Sequence, residues 1–170
     1  MRKGGEGITK DVTQAVKYWT KAAEQGDIDA RYDLGNVYYF GDNEEKFAAN
    51  MSMAAYWWTK AAKQGDADAQ SNLGVLLKDG AEGVDKNPAE AAKWWKKAAK
   101  QGHAKAQYNL GILLKTGAEG VPKDKHAAKD WLLKASAQGD DDAKKSAQSL
   151  GSLKEEKKGA PKVIFPFKKK

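Results

Sequence analysis

One passage is written three times in this chain: WTKAAEQGDIDARYDLG from Trp19 to Gly35, WTKAAKQGDADAQSNLG from Trp58 to Gly74, and WKKAAKQGHAKAQYNLG from Trp95 to Gly111. The copies start 39 and 37 residues apart. A self-similar period of this length marks a stack of supersecondary units, because one unit alone cannot bury its apolar face and must share its neighbour's. Such a stack presents a long surface to a partner more readily than it encloses a reaction.

The unit is helical. Each copy opens on an asparagine or aspartate, Asp11, Asn50, Asn87 or Asp124, whose side-chain oxygen can accept a bond from an orphan N–H of the first turn. Asn87 is followed by Pro88 and Glu90, the residue types that favour the first helical turn. Three positions before each cap lies an apolar residue, Ile8, Phe47, Val84 or Val121, expected to plug the connecting loop into the core. The loop carrying Phe47 is two residues longer than the others, which accounts for the 39-residue spacing.

A first helix, A, runs from each cap to a Gln-Gly pair ending at Gly26, Gly65, Gly102 or Gly139, where glycine permits a left-handed turn. A second helix, B, follows with Asp27, Asp66 or Asp140 as its cap; His103 departs from that pattern and is expected to substitute for the cap rather than to bind a metal. Helix B stops at Gly41, Gly80 and Gly117.

Apolar columns recur at helical spacing. In helix A they are Ala15, Ala54, Ala91 and Ala128, then Tyr18, Trp57, Trp94 and Trp131, then Trp19, Trp58, Trp95 and Leu132, then Ala22, Ala61, Ala98 and Ala135. In helix B, Leu34, Leu73 and Leu110 each precede a glycine. A mid-helix glycine costs roughly 1 kcal/mol relative to alanine, so its recurrence implies close backbone contact with a neighbouring helix. The register of the tryptophans predicts core packing rather than a sugar-stacking surface.

The pattern A-x-x-W-W-x-K-A-A-x-Q-G-x-x-x-A-x-x-x-L-G resembles the Sel-one-like repeat, a relative of the tetratricopeptide repeat, over about residues 4 to 150. The resemblance implies an all-α, right-handed superhelical solenoid of about four helix-turn-helix repeats. It also implies adaptor or scaffold work in bacterial protein complexes, with the A helices lining a concave side. Some relatives are disulfide-rich secreted proteins, a few of them reported to bind β-lactam-type ligands. This chain has no cysteine.

The array is expected over residues 1–153, with repeats opening at 11, 50, 87 and 124 and a basic tail over 154–170. Residues 4–10 match the loop that closes a unit, so the chain reads as starting at the exit of a missing repeat. The fourth copy reads as a polar cap, with Lys144, Lys145 and Gln148 in helix B and Ala147 in place of leucine.

Opposite the apolar stripe of helix A, at about 100° per residue, lie Lys17 and Thr20, then Tyr56, Thr59 and Lys63, then Lys93, Lys96 and Lys100. These are the candidate partner-binding residues, suited to an acidic peptide or protein segment, with tyrosine as an anchor of large area and polar tip. The competing reading is a solvated lysine-rich face. A different class of function is an envelope-associated protein that binds a glycan or small ligand.

Catalysis finds no motif here. The two histidines, His103 and His126, have no metal-type spacing with carboxylates, and the Gly80–Gly83 turn lacks the lysine and hydroxyl ending of a phosphate loop. No enzyme activity, cofactor or metal is expected. Net charge is +7, of which the tail from Lys154 supplies +5 through seven lysines and two glutamates. The tail also holds an apolar island, Val163, Ile164, Phe165 and Phe167, a candidate docking strand, with nucleic acid or acidic membrane as alternative partners. No signal peptide is visible, so a cytoplasmic location is the default; a truncated N-terminus would leave periplasmic or secreted locations open.

Overall fold

The computed structural model describes residues 12–41 and 48–151. The expected cap Asp11, the loop residues Ile8 and Phe47, and the tail residues Val163, Ile164, Phe165 and Phe167 lie outside these. Among the described residues there are eight α-helices and no strand: α1 (Val12–Glu24), α2 (Ile28–Phe40), α3 (Met51–Gln64), α4 (Ala67–Asp79), α5 (Pro88–Lys100), α6 (Ala104–Thr116), α7 (Lys125–Ser136) and α8 (Asp141–Gln148). Odd-numbered helices are the A helices and even-numbered ones the B helices. Each packs chiefly on its neighbours in the chain, which makes the fold an all-α solenoid of helix-turn-helix repeats.

The caps form as the residue types predict. Asn50, Asn87 and Asp124 accept from the backbone N–H of Met53, Glu90 and Ala127, each at 2.9 Å. Asp27, Asp66 and Asp140 do the same for Ala30, Ala69 and Ala143 at 2.7, 2.6 and 2.8 Å. His103 fills the role with a ring: Nδ1 accepts from Ala106 N–H at 3.1 Å, and Nε2 lies 2.9 Å from Asp68 of the preceding repeat. The A-to-B turns place Gly26, Gly65, Gly102 and Gly139 at φ between 93° and 107°, backbone that favours glycine. Between α4 and α5, and between α6 and α7, the loops close as the pairs Ala81–Val84 and Ala118–Val121. Val121 is buried and Val84 half-buried, so both plug their loops into the core.

Tryptophan rings and glycines meet between repeats. Trp58 and Trp95 are each 2% exposed. A Cβ on Gly35 would lie 2.2 Å from Trp58 Cδ1, and one on Gly74 would lie 2.4 Å from Trp95 Nε1. On Gly111 it would lie 2.7 Å from Leu132 Cγ. The glycine of each B helix is therefore the seat of the following A helix, which offsets its propensity cost. Trp95 is pinned there by donating its indole N–H to Ser71 O at 3.0 Å.

A polar ladder runs beside this seam. Gln64, Gln101 and Gln138 donate to the carbonyls of Gly26, Gly65 and Gly102, one repeat back, at 2.9, 3.0 and 2.9 Å. Gln101 and Gln138 also donate to the side-chain oxygens of Gln70 and Gln107, at 2.9 and 2.8 Å. Gln70 and Gln107, both buried, donate in turn to Ala62 O and Ala99 O at 2.9 and 3.1 Å. In the first repeat Arg31 stands in: its Nε donates to Ala23 O at 2.9 Å and its Nη1 to Gln64 Oε1.

One expectation is corrected. The helical register predicts Tyr18 in the core column with Trp57, Trp94 and Trp131, but it is 66% exposed, whereas Trp57 and Trp94 are 5% and 7% exposed. The cause is directional. Trp57 packs on Ala23, Ala30 and Leu34 of the first repeat, Trp94 belongs to the core of the second, and Trp131 packs against the core of the third. Each ring is covered by the repeat before its own, and no described residue precedes α1.

Candidate functional site

On the A-helix side, α3, α4 and α5 enclose an open concavity of about 530 Å³. Its apolar lining comes from Ala55, Leu73, Leu77 and Trp94. Tyr56, Thr59 and Lys63, three of the residues singled out from the sequence, line it together with Lys60 and Glu90. Tyr56 is 48% exposed, and its ring meets that of Trp57 edge-on at 5.0 Å between centroids. Helical spacing produces this cluster: Ser52, Ala55, Tyr56, Thr59, Lys60 and Lys63 fall on one face of α3.

The other candidates are arranged differently. Lys93, Lys96 and Lys100 are exposed on α5 but do not line this concavity; they occupy the slots of Tyr56, Thr59 and Lys63 one repeat on. Lys93 Nζ is 3.5 Å from Glu90 Oε2, an exposed pair. Lys17 is exposed on α1, and Thr20 is half-buried with its hydroxyl donating to Val16 O at 2.7 Å.

Sequence reasoning missed a second lysine column. Lys60, Lys97 and Lys134 sit over the rings three residues earlier. Lys97 Nζ is 3.9 Å from the Trp94 centroid and Lys134 Nζ 4.3 Å from that of Trp131. Lys60 Nζ is 5.4 Å from the Trp57 ring and 4.7 Å from that of Tyr56. These are cation–π distances. The signal was present as a lysine recurring three residues after the aromatic in every copy, and of these lysines Lys60 also lines the concavity.

On the B-helix side, Asp33 of α2 has its carboxyl pushed above the usual carboxylate range, first by burial and then by the nearby charges of Asp29 and Asp27. Among the described residues no cluster of histidine, cysteine, aspartate or glutamate is placed to hold a metal ion. None of the described helices is long and apolar enough to cross a membrane.

A stack of helical hairpins with an open, aromatic and lysine-lined side defines the class: a helical-repeat solenoid. The Sel1 repeat family model matches residues 1–27, 28–66, 67–103 and 104–140, and the chain belongs to that family. Each of the last three segments runs from a B helix into the next A helix. A Sel1 repeat protein from Oxalobacter formigenes is similar at 34% identity, with 80% of this chain and 98% of that one covered and a TM-score of 0.66. A protective antigen of uropathogenic Escherichia coli with an SLR fold is 32% identical over 79% of this chain, with a TM-score of 0.72; the match spans 28% of the antigen's length. Cysteine rich protein B of Helicobacter pylori is 25% identical, with 84% and 98% covered and a TM-score of 0.59. No curated protein matches. Sel1-repeat proteins are generally non-catalytic scaffolds that bind protein partners.

Proposed function

We propose that this chain is a scaffold whose A-helix side binds an acidic peptide or protein segment, anchored by one large apolar side chain. The observation that carries this reading is the pairing of chemistries in one open concavity. Ala55, Leu73, Leu77 and Trp94 offer an apolar floor, while Lys60 and Lys63 stand at its edge. The exposed Lys93, Lys96 and Lys100 continue the positive charge into the next repeat. An apolar anchor in a pocket supplies affinity, and surrounding charge supplies steering and selectivity.

The test is fluorescence anisotropy with a labelled probe peptide in which a single tryptophan or leucine is flanked by aspartate and glutamate, titrated at low and high salt. The parent protein should bind with an affinity that falls as salt rises. The variant Lys93→Glu, Lys96→Glu and Lys100→Glu should bind at least about tenfold more weakly and lose most of the salt dependence. Unchanged affinity and unchanged salt dependence would remove these lysines from the binding surface.

A further inference from the structure

We infer that the outer face of α1 is an open repeat-stacking interface, able to accept one more hairpin of this same pattern joined ahead of it, and that the outer face of α8 is closed to one. The interface between repeats has a fixed set of parts. The following A helix supplies two aromatic or apolar positions and a glutamine. The preceding B helix supplies a glycine seat, with a glutamine or arginine four residues earlier, and the preceding turn supplies a glycine carbonyl. Every part is present at the junction of the second and third repeats: Trp94, Trp95 and Gln101 on one side, Gly74, Gln70 and the Gly65 carbonyl on the other.

The α1 helix carries the first half of that set. Tyr18, Trp19 and Gln25 occupy the slots of Trp94, Trp95 and Gln101. Tyr18 is 66% exposed, Trp19 is only half-buried and Gln25 is exposed, so among the described residues this half has no second half against it. The α8 helix lacks the complementary half. Gln148 stands where Gly111 seats Leu132, and Lys144 stands where Gln107 receives Gln138; both are exposed. A side chain at position 148 bars the close approach that Gly35, Gly74 and Gly111 permit. Two copies of this chain therefore cannot stack head to tail through these ends, and the occupant that fits α1 is a hairpin whose second helix carries glutamine or arginine four residues before a glycine. The sequence Gly4-Gly5-Glu6-Gly7-Ile8 repeats the pattern of Gly80-Ala81-Glu82-Gly83-Val84, which leads from one hairpin into the next A helix.

The experiment inserts a copy of Asn50–Asp79 directly ahead of Gly4 in the full chain. Two companions carry the same copy after Gly151, joined by its loop, or ahead of Gly4 with Gly74→Leu in the added copy. Thermal unfolding is followed by circular dichroism. The first insertion should melt in one transition with the midpoint raised by about 4 °C or more. The C-terminal insertion should leave the midpoint where it was, and Gly74→Leu in the added copy should abolish the gain. The inference is overturned by no shift at the N-terminal end, by equal shifts at both ends, or by a gain that survives Gly74→Leu. Self-association of the parent that Tyr18→Glu abolishes would also overturn it, because the face would then belong to a second copy.

Discussion

Gly74→Ala should destabilise this protein although the same change in an exposed helix would stabilise it. In isolation the alanine is worth about 1 kcal/mol through helix propensity. Here the added Cβ would lie 2.4 Å from Trp95 Nε1, 2.6 Å from Cδ1 and 2.9 Å from Cε2. The indole is not a flexible tip that can swing away: it is 2% exposed and donates to Ser71 O. Overpacking of this kind costs about 1–3 kcal/mol. If the ring shifts enough to break its bond, a buried donor loses its partner for a further cost of about 1–3 kcal/mol. Net of the propensity gain, the expected loss is up to about 2 kcal/mol if the bond holds and about 1–5 kcal/mol if it breaks. The fourth repeat provides the reverse experiment in the same column. Among the described residues no ring follows Gln148, so Gln148→Gly should lose propensity and gain nothing, a loss of about 1 kcal/mol or less. Urea unfolding at a fixed protein concentration measures both through the midpoint and slope. A Gly74→Ala protein more stable than the parent would refute the seat between α4 and α5.

Trp58→Ala empties a site that is 2% exposed and should cost about 3–5 kcal/mol in the same urea assay. Gln107→Leu removes the acceptor of Gln138 and the donor to Ala99 O, and should cost about 1–3 kcal/mol while leaving helix content by circular dichroism nearly unchanged. His103→Ala should cost about 1 kcal/mol by loss of the cap, and His103→Asp, the residue type that caps α2, α4 and α8, should recover most of it. Asp33 has a raised folded-state pKa, so ionising it opposes folding: the penalty is absent below the ordinary value of 3.8 and grows as pH rises through the higher folded value. Asp33→Asn, the residue type of Asn72 and Asn109 in the same column, should therefore raise the thermal midpoint at pH 7, and the advantage should vanish in melts below pH 3.8.

The helices, their caps and the close approach at Gly35, Gly74 and Gly111 were legible in the sequence because each is dictated within one repeat or by repetition itself. Asn87 before Pro88 specifies a helix start wherever it stands. Tyr18 was misread for the opposite reason. Its column position is local, but its burial depends on whether another repeat covers it, and the local sequence carries no such information. The glutamine ladder escaped in a related way. Gln64, Gln101 and Gln138 read as the last residues before a turn, whereas their amides act on the repeat before. Two glutamine columns recurring in register, Gln64 with Gln101 and Gln70 with Gln107, were the available clue. In the groove, the positions of Tyr56, Thr59 and Lys63 followed from helical geometry. Lys60, Lys97 and Lys134 lie at the edge of the apolar stripe, and only the path of the side chain shows that they fold over the rings.

The stack and the groove draw on almost separate sets of side chains, and this bears on how binding variants must be read. Glycine, tryptophan and glutamine fix each repeat to the next, and their slots recur through the central repeats. The outward slot of helix A holds Lys17, Tyr56, Lys93 and Asp130 in turn, which differ in size and charge without altering the helices that carry them. Substitutions at exposed positions such as Lys93, Lys96 and Lys100 should move stability by no more than about 0.5 kcal/mol, so a tenfold loss of peptide affinity there reports on the groove. Trp94 belongs to both sets: it lies in the core of the second repeat, lines the concavity and holds Lys97 over its ring. A Trp94 variant would lose stability and binding together, and only the lysine variants can separate the two.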